Sequence, residues 1–204
     1  MADNWAVFVE GLDDLKQFDG TKQAIRMAAA RAINKVTRDG RVEIARDIRD
    51  QVNLPASYVA PGQKRLYVSQ QATASNLEGK ITARGRATSL ARFVQGTPRR
   101  GQGVRVEVAP GRSRYIKRAF LIRLPAGNSN VDTKYNMGLA IRLRPGETLQ
   151  NKLTARRMEK GLYLLYGPSV DQVFRARDGS GVANEKAPQL ASELEREFLR
   201  LLEI

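Results

Sequence analysis

Between Thr21 and about residue 52, Ile25, Ala29, Ala32, Ile33, Val36, Ile44 and Ile48 recur at helical spacing. A stripe of this kind belongs to a helix that buries one face. Thr21 or Asp19 supplies a cap, Pro55 ends the run, and the alanines at 28–30 and 32 let a neighbour approach closely. Gly40 falls in the middle and costs about 1 kcal/mol relative to alanine, so a kink or two helices end to end is expected there. Beyond residue 72 the period drops to two. Thr73 to Ala83, Val104 to Val108, Ala119 to Leu124 and Leu139 to Leu143 each fit a short strand, and Val104-Arg-Val-Glu-Val108 alternates cleanly between apolar and charged. Leu162-Tyr-Leu-Leu-Tyr166 is a compact apolar strand that stops at Gly167-Pro168, and Asp178-Gly-Ser-Gly181 is a second breaker group. The period then returns to helical: Leu190, Leu194, Phe198, Leu201 and Leu202 form one apolar stripe, with Asn184 as cap and Pro188 in the first turn.

Helix, strands, helix predicts an α+β fold, with a long N-terminal helix and a C-terminal amphipathic helix packed on a mainly antiparallel sheet. A chain of 204 residues buries an adequate core without disulfides, so one domain over residues 1–204 is expected. Trp5 to Val9 reads as a short strand before the first helix. Long loops are expected near 53–70, which has room for one helical turn, near 95–103 and near 125–138.

Charge is concentrated. The chain carries 35 basic and 21 acidic residues, a net +14. From Arg84 to Arg123 there are ten arginines and Lys117 against Glu107 alone, which puts +10 of that excess in 40 residues. Both ends are acidic: Asp3, Glu10, Asp13, Asp14 and Asp19 near the start, and Glu185, Glu193, Glu195, Glu197 and Glu203 near the finish. An arginine field suits a polyanion, nucleic acid first, or the acidic surface of a neighbouring subunit. Acidic ends and a basic middle also suit a ring in which one copy's C-terminal helix meets the next copy's basic sheet. Arg99, Arg100, Arg112, Arg114, Lys117 and Arg118 are the candidate contacts with DNA or an acidic partner. Only Phe93, Tyr115 and Phe120 interleave with them as stacking platforms.

Composition narrows the chemistry. Cysteine and histidine are both absent, which removes thiolate nucleophiles, the usual general base and the commonest metal ligands. No catalytic residue, cofactor or metal site is therefore expected. Glu78-Gly-Lys80 has the ExK form of some metal-dependent nucleases, but a magnesium site needs a second carboxylate, and Asp50 has no reason to converge on it. Gly101-Gln-Gly103 and Gly179-Ser-Gly181 lack the third glycine of a dinucleotide fingerprint and read as turns. The first residues, Met1-Ala-Asp-Asn-Trp5, do not resemble a secretory leader, and no run of 18 apolar residues occurs, so no membrane partner is expected.

Two stretches carry a resemblance. Ala28-Ala-Ala-Arg-Ala-Ile-Asn-Lys-Val-Thr37 resembles the alanine-rich helix that opens the phage minor tail protein Z family, and Leu162-Tyr-Leu-Leu-Tyr-Gly-Pro-Ser-Val170 resembles that family's late segment. Between them, Ser89-Leu-Ala-Arg-Phe93 and Arg118-Ala-Phe120 are similar in order and spacing, so the likeness covers islands between about residues 20 and 175. After Pro168-Ser169 the family often has a further proline and an apolar residue; here Val170 to Phe174 keeps only the apolar character. The resemblance implies a non-enzymatic virion protein assembled in the host cytoplasm. Such a protein completes the head-proximal end of a long tail and supports head–tail joining as a ring subunit, commonly one of six. Its implied partners are further copies of itself, the tail terminator, the head–tail connector and genomic DNA in the channel. The alternative from the charge alone is a sequence-independent nucleic-acid-binding protein using residues 84–123. Gly167 and Pro168 would fix the chain's exit from the last strand, a structural task.

Overall fold

The computed structural model describes residues 5–8, 19–99, 101–124, 137–149, 155–158, 161–176 and 179–202. The chain is α+β. Its helices are α1 (Asp19–Gln51), α2 (Val170–Ala176) and α3 (Gly179–Leu202). Its strands are β1 (Trp5–Phe8), β2 (Leu66–Gln70), β3 (Glu78–Ala83), β4 (Thr88–Ser89), β5 (Val104–Ala109), β6 (Arg112–Ile116), β7 (Ala119–Arg123), β8 (Met137–Arg142), β9 (Ala155–Arg157) and β10 (Leu162–Gly167). Among the described residues the strands form three antiparallel sheets: β1-β3-β2, β4-β10-β8-β7 with β9 also on β10, and β5-β6. Two compact units share the chain, one made of Met1–Ile48, Ala56–Arg84 and Asp171–Ile204, the other of Arg49–Pro55 and Gly85–Val170.

In the first unit, α1 runs unbroken through Gly40, so of the two expected alternatives, a kink or two helices end to end, the second does not occur. Ala29, Ile33, Val36, Thr37, Gly40, Ile44 and Ile48 are all buried, which places Gly40 on the packed stripe. Packing along that stripe outweighs the glycine's small propensity cost. The sheet meets α1 through the alternate residues of β3, where Gly79, Ile81 and Ala83 are buried. Arg41 lies among these buried residues and satisfies its guanidinium on the backbone carbonyls of Val59 and Leu66; burial pulls its pKa below the ordinary value. Arg65 lies over the Tyr58 ring, 4.1 Å from its centre, and donates to the Tyr58 carbonyl.

The C-terminal helix corrects two expectations. It begins at Gly179, ahead of Asn184, so Asn184 is inside it and Pro188 is interior, and the breaker group at Gly179-Ser-Gly181 is already helical. Glu193 and Glu197 are buried, while Leu190, Leu194 and Phe198 are half-buried. The glutamates pair with α1: Arg31 with Glu197 at 2.8 Å, and Lys35 with Glu193. Lower on the same seam Gln189 donates to Asp39 at 3.1 Å and Lys186 pairs with Glu43. Positions rise on one helix as they fall on the other, so α1 and α3 form an antiparallel pair laced by charge. Glu193 and Glu197 are thus engaged within their own chain, and the expected docking of an acidic C-terminal helix onto another copy's basic sheet loses them.

Burial alone would raise the Glu197 carboxyl, but the hydrogen bond from Arg31 and the charges of Arg31 and Arg200 outweigh it and hold the pKa below the usual range. A carboxyl lowered by folding stabilises the fold above its unfolded value of about 4.3, and loses that contribution as pH falls through the lower folded value. Glu197→Gln is therefore expected to cost about 1–2 kcal/mol at neutral pH, the low end because Arg31 is half-exposed and screened. The gap from the parent should narrow as pH falls towards about 3, checked by urea denaturation across that range.

In the second unit β10 is central. It pairs with β8 on one edge and with β9 and β4 on the other, and β7 then pairs with β8 at the margin. Leu139, Ala140, Leu164, Phe93, Val104 and Val106 are among its buried residues. Two local expectations need correction. The loop expected over 53–70 holds a 3-10 turn at Ala56–Tyr58 and ends in strand β2, because Leu66 to Gln70 finds a ladder on β3 that its mixed polarity does not advertise. The strand expected over 73–83 starts only at Glu78, because Thr73 and Asn76 bond each other's backbone in a turn. The segment 95–103 lies between elements as expected, apart from Arg100, which is outside the described residues; most of 125–138 is also outside them, and Met137 already opens β8.

Candidate polyanion interface

β5 and β6 make a two-stranded ribbon with Arg105 opposite Tyr115, Val106 opposite Arg114 and Glu107 opposite Ser113. The unit holds the ribbon by β5. Val104 and Val106 are buried, Val94 bridges to Val106, Gln95 N–H donates to the Arg105 carbonyl at 2.9 Å and Asn53 N–H to Val108 at 2.8 Å. Nothing comparable covers β6 among the described residues: Arg112, Ser113, Arg114 and Tyr115 are all exposed, Tyr115 by 58%. Its hydroxyl donates to the Gln102 carbonyl, which fixes the ring and leaves its surface open.

Glu107 decides the electrostatics. It is the sole acid in residues 84–123, and its carboxylate accepts from the Gly111 N–H at 3.0 Å and from the Gln95 amide. The one local negative charge therefore braces the hairpin turn instead of neutralising an arginine. Among the described residues, Arg99, Arg105, Arg112, Arg114 and Lys117 make no ion pair. Glu107→Ala is expected to accelerate amide exchange at Gly111 at least tenfold, the loss of about 1.4 kcal/mol in local opening, while Glu107→Gln keeps one acceptor and falls between.

The candidate residues divide into two groups. Arg112 and Arg114 stand on β6. Lys117 and Arg118 form the turn into β7, with Arg118 N–H donating to the Ile116 carbonyl at 3.2 Å. Arg118 has φ +139°, a backbone conformation that favours glycine, so some constraint must hold it. Its Nη2 donates to both Glu147 oxygens, at 3.0 and 2.9 Å, and Glu147 also accepts the Arg144 N–H at 2.8 Å. The Arg144 backbone bond, and then Arg118, hold the Glu147 carboxyl below its usual range. Arg118 is thus partly compensated, unlike Arg112 and Arg114. With Arg99 and Arg142 it lines an open cleft of about 510 Å³. Arg142 was visible in the sequence only as one polar position of an alternating strand, and Glu147 gave no signal, since its role depends on the fold bringing 118 and 147 together.

Gly167 is still in strand, paired with Thr88, and Pro168 and Ser169 lead straight into α2. The glycine allows a close approach: a Cβ there would lie 3.0 Å from the Phe93 ring, which would have to give by a few tenths of an ångström. Glu78 pairs with Lys80 at 3.0 Å and accepts from Gln70 at 3.1 Å, so both ExK residues serve one strand pair. Among the described residues no three acidic side chains gather as a metal site, and no helix is long and apolar enough to cross a membrane. No protein-family model matches the chain, and neither does any curated protein or solved structure.

Proposed function

We propose that the chain is a structural protein of a long-tailed phage, completing the head-proximal end of the tail as a subunit of a ring, with six copies as the working number. In this reading it joins the tail terminator to the head–tail connector, and the ribbon β5–β6 faces genomic DNA in the channel. One observation carries the reading: along the seam of α1 and α3 cations are matched by carboxylates, as in Arg31–Glu197 and Lys35–Glu193, whereas those of the ribbon are not. A surface of that kind meets a polyanion without reading sequence and needs no reacting group. The resemblance to tail proteins adds support from elsewhere, because its two longest islands fall on the buried stripe of α1 and on central strand β10.

Mass spectrometry of gradient-purified particles tests this, with free heads, free tails and joined particles analysed separately. A few copies per particle are expected in tails and joined particles and none in free heads. Absence from every fraction overturns the virion reading. The ribbon then favours the second reading, a sequence-independent nucleic-acid-binding protein of the infected cell.

A further inference from the structure

Four consecutive residues, 118–121, line the arginine cleft. Successive residues of a strand point to opposite faces, so a cleft touching every one of them runs along the strand's edge. That edge belongs to β7, whose other edge is occupied by β8 through the register Ala119–Ile141 to Arg123–Met137. Among the described residues β7 has no further strand partner, and residues 119–123 make no backbone hydrogen bond outside that ladder. Its sequence, Ala119-Phe-Leu-Ile-Arg123, is apolar up to Arg123, with no proline to block pairing. An open apolar edge of this kind is a template for one more strand.

Charge says what that strand must carry. Arg99 lines the cleft too, and Arg118 and Arg142 stand together at one end of β7, because extending the ladder by one position sets 118 against 142. Glu147 engages only Nη2 of Arg118, which leaves Nε and Nη1 as donors to a second carboxylate. We propose that the free edge of β7 receives an extended acidic segment of another protein, added as a sixth strand beside β7. Its backbone bonds residues 119–123, and its carboxylates meet Arg99, Arg118 and Arg142. This surface is separate from β6, and its test uses the isolated full chain, so it stands or falls whatever the particle analysis shows.

The probe is a fluorescein-labelled octapeptide of alternating valine and glutamate. The comparisons are the same peptide with proline at every valine, the valine–lysine peptide and a single-stranded oligothymidylate. Anisotropy should show saturable binding of the acidic peptide, at least tenfold weaker binding of its proline version, and no binding of the lysine peptide. Amide exchange should slow at residues 119–123 when the acidic peptide is bound. Arg99→Glu, at an exposed position, should weaken binding at least fivefold while melting near the parent temperature. Equal binding of the proline peptide overturns the proposal, since charge alone would then suffice. No acidic-peptide binding at millimolar concentration overturns it, and so does protection of 119–123 by oligothymidylate alone, which would assign the cleft to nucleic acid.

Discussion

Gly79→Ala is expected to destabilise the first unit by about 2–3 kcal/mol and to lower the melting temperature by roughly 5–10 °C. Gly79 is where β3 comes closest to α1. A Cβ there would overlap the Thr37 hydroxyl and lie 3.2 Å from the Thr37 Cβ and 3.3 Å from Ile33 Cγ2. Neither neighbour can yield easily. Thr37 is fully buried and its hydroxyl donates back to the Ile33 carbonyl at 2.7 Å, so rotating it away breaks a buried bond. Ile33 is also fully buried and β-branched, with one preferred helical rotamer. The strand would have to lift from the helix. Thr37→Ala removes the obstructing oxygen, so the double variant should be more stable than the sum of the two single losses by at least about 1 kcal/mol. Thermal and urea melts of the four proteins measure that coupling, and strict additivity would mean that the contact is not what demands glycine.

The parts legible in the sequence are those where one face is buried over several periods. Residues 21–52 are legible as helical because the apolar stripe repeats through about nine turns, enough to outvote Gly40. β5 was legible for the same reason on a smaller scale, since its valines alternate with Arg105 and Glu107. β6 was not. Arg112-Ser-Arg-Tyr-Ile116 has an exposed residue at nearly every position, and it is a strand only because β5 supplies its ladder. The pairing of Glu193 and Glu197 with α1 was not legible, because their partners lie 158 and 166 residues away, a distance no local pattern spans. The basic field was evident from composition. Its division into an uncompensated ribbon and a cleft tempered by Glu147 depended on turns and register that only the fold reveals.

The ribbon itself yields the largest change in binding. Replacing Arg105, Arg112 and Arg114 together by alanine should weaken duplex DNA binding on the order of a hundredfold at about 0.15 M salt. The more specific expectation is a slope. Each phosphate contact contributes about −0.9 to the dependence of log K on log salt. Arg112 and Arg114 share one side of the ribbon while Arg105 lies on the other, so losing the two contacts of one side should flatten that dependence by about 1.8. The loss should be the same for unrelated DNA sequences, because phosphate contacts carry no sequence information. Net charge alone would also lower affinity, which makes the comparison decisive. Arg38, Arg46 and Arg49 are exposed on α1, and their triple alanine variant carries the same change in total charge. If charge were felt only through the field of the whole protein, the two variants would lose affinity alike and their slopes would fall together. If the ribbon is the contact, the α1 variant keeps nearly the parent slope and the ribbon variant does not. The difference arises because counterions are released only where a cation displaces them from the phosphate, and β6 presents its arginines outward with the local carboxylate turned into the hairpin.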